Sequence, residues 1–290
     1  MTSAVGTTLE RLRLGYARTM LRATGAENPA LEAAFATVRR EDFMPPGPWT
    51  LFRVPGGQET LSRNDPALLY PQEPTPELLV VLDAANGINN GSPTLHASMM
   101  QHLAVRRGDR VLHLGAGTGY YSAILAELVG PQGAVTAVEF MPDLAAQAQV
   151  NLAPWPWVQV VQGDAAAFPV TPVDRIYVNF AVADPVDAWF DQLSDGGTLV
   201  FPLGLAFQRG ALLRITRQGA GFAARHISPC GFVGAAGRLA GDAGHQARLA
   251  AALAAGGIAD VASLHRPPSS PAQAWLRTPR WTLSPEPPAA

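Results

Sequence analysis

The chain has 290 residues, 48% of them hydrophobic and 15% charged, with a formal net charge of −2. That is the composition of a soluble globular protein long enough to bury a substantial core, with no basic excess to suggest nucleic acid or an anionic membrane as partner. All 21 basic residues are arginine and Cys230 is the single cysteine, which excludes lysine Schiff-base chemistry, the phosphate lysine of a P-loop, an internal disulfide and a Cys-based zinc site.

The amino-terminal "MTSAVGTTLERLRLGYART" has no apolar core of signal-peptide type, and no run elsewhere is long enough for a bilayer, so a cytoplasmic protein is the expectation. Leu9, Leu12, Tyr16 and Met20 recur at helical spacing with Gly25 as a stop. Asn28-Pro29 then caps a second helix that carries Leu31, Ala34, Phe35 and Val38 on one face. The Pro- and Gly-rich stretch "MPPGPWTLFRVPGGQETLSRNDPALLYPQEPTPE" shows no sustained period and reads as a long irregular connection. "GINNGSPTLHASMM" follows, where Ser92-Pro93 is a near-ideal helix start.

Beyond it, short apolar runs alternate with helical stretches. Strands are expected at "RVLHL", "AVTAVE", "VQVVQ", "DRIYVNF" and "GTLVFPL", with the helix "YYSAILAELVG" after the first. Alternation of this kind implies parallel βαβ units in a doubly wound sheet. "ALLRITRQGAGFAARHIS" reads as a hairpin that finishes one edge, for seven strands in all. The remainder is expected to hold a short Ala-rich helix with Leu249 and Leu253, stopped by Gly256-Gly257, then the linker "PPSSP". A final strand pair is read in "AWLRTPRWTLS".

"RVLHLGAGTGYYS" places Gly115, Gly117 and Gly119 between a strand and a helix, where a ligand can approach the backbone at the helix amino end. The spacing is G-x-G-x-G; the third glycine of a dinucleotide fingerprint would fall on Tyr120, which weakens a nicotinamide or flavin reading. Three further residues stand where a nucleoside-binding sheet needs them. Glu139 ends the second strand, roughly 20 residues beyond the glycines, where a carboxylate can receive both ribose hydroxyls. Phe140 follows and reads equally as a core residue or an adenine face. Asp164, after the third strand, is placed either for an adenine amino group or for a turn.

This ordered set resembles the class I S-adenosylmethionine-dependent methyltransferases. Two segments are similar, more closely, to the protein-L-isoaspartate O-methyltransferases: "LEAAFATVRREDFMPP", which resembles that family's Val-Pro-Arg-x-x-Phe-x-Pro with Arg39 at the proline, and "FDQLSDGGTLVFPLG", which resembles its fifth-strand signature. The resemblance covers roughly Leu31 to Gly234. It implies a Rossmann-like α/β fold with a helical N-terminal segment and a C-terminal extension, S-adenosyl-L-methionine as cofactor, and methyl-ester formation on a peptide or protein carboxylate. Residues 1–94 would then form the N-terminal helices and acceptor-side loop, 95–236 the cofactor-binding domain, and 237–290 the extension.

A carboxylate acceptor is already ionised at neutral pH, with a reference pKa near about 4, so neither a general base nor a metal is required. The resembled family carries a Ser-x-Pro in the loop before the first helix of the fold, with that serine at the acceptor. Aligned on Pro93, the position holds Gly91, and the nearest hydroxyl moves to Ser92. Ser92 and His96 are therefore the candidate acceptor-side residues, each with a plain alternative as a helix cap and a packed helix residue. Asn179, at the carboxyl end of the fourth strand, reads as a cofactor or acceptor contact or as a turn residue. Asn89 and Asn90 read as turn residues, and His113 as a core histidine. Other readings left open are a small-molecule acceptor, and a non-catalytic S-adenosylmethionine-binding module whose acceptor site went with the serine.

Overall fold

The computed structural model describes residues 2–25, 27–54, 57–61, 64–72, 77–85, 87–167, 171–235 and 237–288. Parts of the Pro- and Gly-rich connection, residues 55–56, 62–63 and 73–76, lie outside the described residues. The chain forms two compact units: Met1–Gly108 with Ala116–Val135 and Met141–Val160, and Asp109–Gly115 with Thr136–Phe140 and Val161–Ala290.

In the first unit, α1 (Thr2–Ala23) buries Tyr16, Ala17, Met20 and Leu21 at helical spacing, and Gly25 follows at φ +66°. The cap read in the sequence is present: Asn28 accepts from the Leu31 amide through its side chain and starts α2 (Pro29–Thr37), which buries Leu31, Ala34 and Phe35. The stretch expected to be irregular holds strand structure instead. Strands β1 (Thr50–Val54), β2 (Gln58–Thr60), β3 (Glu77–Asp83) and β4 (Ile88–Asn89) form an antiparallel sheet in the order β2-β1-β3-β4. Its centre pairs residues far apart in the chain, Leu51 with Val80, which no local pattern reveals. Helix α3 (Pro93–Leu103) follows. The strand β5 (Arg110–Leu114) belongs to the second unit, and α4 (Tyr120–Val129) returns to the first.

The remaining elements are β6 (Ala134–Glu139), α5 (Pro142–Asn151), β7 (Val158–Gln162), β8 (Val173–Val178), α6 (Asp187–Gln192), β9 (Leu193–Leu203), β10 (Gly210–Gln218), β11 (Gly221–Cys230), α7 (Ala243–Ala255), β12 (Ser263–His265), β13 (Leu276–Arg277) and β14 (Thr282–Ser284). All seven expected strands of the large sheet are present. The C-terminal extension adds three more, so the sheet has ten strands in the order β13-β14-β12-β11-β10-β9-β8-β5-β6-β7. Strand β5 pairs in parallel with β8, and β8 with β9, while β9, β10 and β11 form an antiparallel edge.

The chain runs from β5 outward to β6 and β7, then crosses back to β8 on the other side of β5. The carboxyl ends of β5 and β8 therefore flank the point where strand order reverses, the position at which open α/β sheets bind ligands. Trp189, Phe190, Leu199, Phe201 and Trp281 are among the buried side chains of the second unit's core. No described helix is long and apolar enough to cross a membrane.

Candidate active site

The candidate acceptor-side residues lie in the first unit. Asn90 is buried, and its Oδ1 accepts from the Val80 amide at 2.7 Å, which ties the loop after β4 to β3. Asn89 Oδ1 accepts from the Gly91 amide at 2.9 Å. These two asparagines hold the loop in the way expected of turn residues. Ser92 Oγ accepts from the Leu95 amide at 3.1 Å and caps α3.

Gly91 has φ +70°, a left-handed conformation that glycine adopts without the steric cost a side chain would bring. A Cβ placed on it would come within 2.2 Å of His96 Nε2. The imidazole of His96, one helical turn on, thus occupies the volume that a side chain at residue 91 would fill. His96 is buried and stacks on the Tyr121 ring, with centroids 3.7 Å apart and planes at 14°, and the Tyr121 hydroxyl donates to the Gly91 carbonyl at 3.4 Å. Gly91, His96 and Tyr121 form one packed group. Tyr121 was not singled out from the sequence, where it reads only as the second aromatic of α4.

The second half of the glycine loop also belongs to this unit. Gly117 and Gly119 take φ +56° and +97°, and Gly119 is the N-cap of α4. Between them, Thr118 is buried and its hydroxyl donates to the Phe43 carbonyl at 2.7 Å, while Asn151 Nδ2 donates to the Thr118 carbonyl at 2.9 Å. The segment "RREDF" therefore fastens the loop by backbone contact.

That segment has its own support. Arg40 is fully buried, and its Nη1 donates to the Leu69 carbonyl at 3.2 Å and the Tyr16 hydroxyl at 3.4 Å. Its backbone amide donates to the Tyr70 hydroxyl at 2.8 Å, and that hydroxyl donates in turn to Glu41, which also holds Arg13 at 3.2 Å. Burial and the Glu41 hydrogen bond push the Tyr70 phenol well above its ordinary range, so it stays a donor to Glu41.

The candidate cofactor residues Gly115, Glu139, Phe140, Asp164 and Asn179 lie in the second unit. Gly115 follows β5 at φ +81°, and a Cβ there would meet Phe180 at 2.7 Å. Glu139 ends β6 with its side chain buried, and its carbonyl accepts from the Gly163 amide at 2.9 Å. Phe140 is 55% exposed, so it is not a core residue. Asp164 is exposed and its Oδ1 accepts from the Ala166 amide at 2.8 Å, the turn contact that an aspartate offers its own backbone.

Asn179, just past β8, donates from its backbone to the Leu114 carbonyl at 2.9 Å, and its Nδ2 lies 2.8 Å from His113 Nε2. Its Oδ1 is buried with no hydrogen-bond partner among the described residues. His113 is fully buried in β5, and burial holds its imidazole neutral, down to about 3.

These residues suit an adenosyl cofactor bearing an amino-acid tail. A carboxylate at the end of β6 can take ribose hydroxyls, and an unused buried carbonyl oxygen at the end of β8 calls for a donor from a ligand.

A family profile described as protein-L-isoaspartate(D-aspartate) O-methyltransferase matches residues 76–240. The chain is 35% identical over 146 residues to a protein-L-isoaspartate O-methyltransferase of Ignicoccus hospitalis, covering 49% of this chain and 69% of that one. It is 38% identical over 117 residues to protein-L-isoaspartate O-methyltransferase 1 of Archaeoglobus fulgidus, covering 39% of this chain and 54% of that one, so the chain spans only about half the length of this second relative. Among solved structures, a protein-L-isoaspartate O-methyltransferase superposes with a TM-score of 0.63 at 24% identity, over 77% of this chain and 66% of that one; it shares the fold. With the profile spanning more than half of its length, the chain belongs to the protein-L-isoaspartate(D-aspartate) O-methyltransferase family and is an S-adenosylmethionine-dependent methyltransferase of Rossmann-like α/β fold.

Proposed function

We propose that the chain forms a methyl ester on a carboxylate of a peptide or protein, with an isoaspartyl residue as the acceptor to be tested first. One observation carries this reading: the family match over residues 76–240 contains both the acceptor loop and every candidate cofactor residue. In this scheme Gly115, Gly117, Gly119, Glu139, Phe140, Asp164 and Asn179 hold the cofactor. Residues 1–94 serve the acceptor side, 95–236 the cofactor, and 237–290 extend the fold.

S-adenosylmethionine supplies a methyl group on a sulfonium, whose leaving group is a neutral thioether. The protein's part is to orient the acceptor and keep water away, because the carboxylate needs no deprotonation. Ser92, with its hydroxyl committed to the α3 cap, contributes by fixing the loop. His96 is the group that fills the side-chain space of residue 91.

A second reading has its own support. The Gly91–His96–Tyr121 packing fills with stacked rings the space that a side chain at residue 91 would take, which supports a specialised peptide acceptor. Transfer of radiolabelled methyl from S-adenosylmethionine to an isoaspartyl peptide, with its aspartyl isomer as control, separates the two. Base-labile label in the isoaspartyl peptide alone supports repair. No label, from a protein that still binds the cofactor, removes that acceptor and leaves the specialised one.

A further inference from the structure

The amide of Asn179 is held in one orientation by a histidine that the reaction does not otherwise use. Its Nδ2 faces His113 Nε2 at 2.8 Å. In the neutral tautomer that carries its proton on Nδ1, Nε2 is an acceptor; the amide nitrogen then donates to it and the carbonyl oxygen points the other way. Burial holds the His113 pKa down to about 3, so the imidazole is neutral around pH 7. The backbone of Asn179 is fixed as well, through the Leu114 carbonyl.

What remains is an oxygen that can only accept, buried and without a partner among the described residues. It stands beside Gly115, whose own added Cβ would lie 3.5 Å from the Asn179 Cβ. A carboxylate substrate has no hydrogen to give it and would be repelled. The cofactor has three kinds of donor: the adenine amino group, the ribose hydroxyls and the α-ammonium group of its methionine part. Along the sheet order β8-β5-β6-β7, Asp164 follows β7, Glu139 ends β6, and Asn179 follows β8 on the far side of β5. Adenine and ribose are accounted for on the β6 and β7 side, which leaves the methionine part for β8.

We propose that Asn179 Oδ1 accepts a hydrogen bond from the α-ammonium group of the cofactor, and that His113 is a positioning residue that turns the amide for this purpose. The proposal rests on the cofactor assignment above and adds the residue pair that reads the amino-acid end. It makes the histidine inside "RVLHL" a functional residue acting at one remove.

The test is calorimetric binding of S-adenosylhomocysteine and of its deamino analogue, in which hydrogen replaces the α-amino group, to the full chain. The wild type is expected to prefer the amino ligand by roughly tenfold or more, since a hydrogen bond to a charged group is at stake. Asn179→Ala loses most of that preference while binding the deamino analogue with unchanged affinity. His113→Phe loses it in the same sense, and the double variant loses no more than Asn179→Ala alone. A general disturbance of the fold would weaken both ligands equally, so an equal loss overturns the proposal. Should His113→Phe fail to fold, as seen by circular dichroism, His113→Leu replaces it in the comparison, and Asn179→Ala on its half-buried side chain decides the cofactor contact. If the wild type binds neither ligand, the cofactor assignment falls and this proposal with it.

Discussion

Gly91 and His96 compete for one volume, and the consequence of refilling it follows from distance and backbone angle. Gly91→Ser places a Cβ within 2.2 Å of His96 Nε2 at φ +70°, so the imidazole must move off Tyr121 and the backbone takes on strain of about 1–2 kcal/mol. Urea unfolding is expected to show that loss, and Gly91→Ser combined with His96→Ala to recover part of it, because the two substitutions share a contact. Strict additivity in the double variant would show that the imidazole does not hold the space.

His113 gives a pH effect at the same scale. Its ordinary value is 6.5 and its folded value about 3, so between these limits the unfolded chain binds the extra proton and stability rises with pH. The stabilising contribution is complete above pH 6.5 and is lost progressively as the pH falls towards 3. Each unit below 6.5 costs up to about 1.4 kcal/mol. Comparing wild type with His113→Gln by urea unfolding at pH 7 and pH 5 should show a smaller loss on acidification in the variant.

At the scale of elements, α3 begins on a side chain with one identifiable contact. Ser92 Oγ accepts from the Leu95 amide at 3.1 Å, so Ser92→Ala is expected to cost about 1 kcal/mol, while Ser92→Asp retains the cap. If methyl transfer by Ser92→Ala falls more than its folded fraction does, the hydroxyl also touches the acceptor. The caps, the strand–helix alternation and the Gly-rich turn were legible because each is written in adjacent residues. Sheet β2-β1-β3-β4 was not: β1 finds its central partner about 30 positions on, across Pro and Gly that mask its period, and β12 of the large sheet, also unread, has only three residues. The same distinction runs through the site. The places of Glu139 at the end of β6 and Asp164 just after β7 were readable from the strand pattern. The pairing of His113 with Asn179, and of His96 with the empty side of Gly91, joins residues whose local patterns say only core and turn.

Across the whole chain, the extension after residue 237 is part of the large sheet rather than an appendage to it. Strand β12 pairs with β11 and β14 with β12, which covers an edge that would otherwise present unpaired backbone groups. Trp281 anchors this region from within. Its ring is 1% exposed, packs edge-on against His245 with centroids 5.9 Å apart, and donates from Nε1 to Asp184 at 3.0 Å. His245 Nε2 in turn lies 2.7 Å from the Ala183 carbonyl, and the Ala183 amide donates to the Leu239 carbonyl at 2.9 Å. The extension therefore steadies residues 183 and 184, in the stretch that follows β8 and Asn179. Trp281→Ala opens a cavity in this packing and is expected to cost about 3–5 kcal/mol, whereas Trp281→Phe keeps the ring and loses about 1 kcal/mol with the hydrogen bond. If the stretch after β8 depends on the anchor, Trp281→Ala also weakens S-adenosylhomocysteine binding at temperatures where the variant is still folded, and it reduces the preference for the amino ligand over its deamino analogue. Urea unfolding followed by circular dichroism, with calorimetry on the folded variant, measures both; a stability loss below about 1 kcal/mol would make Trp281 peripheral and the extension dispensable.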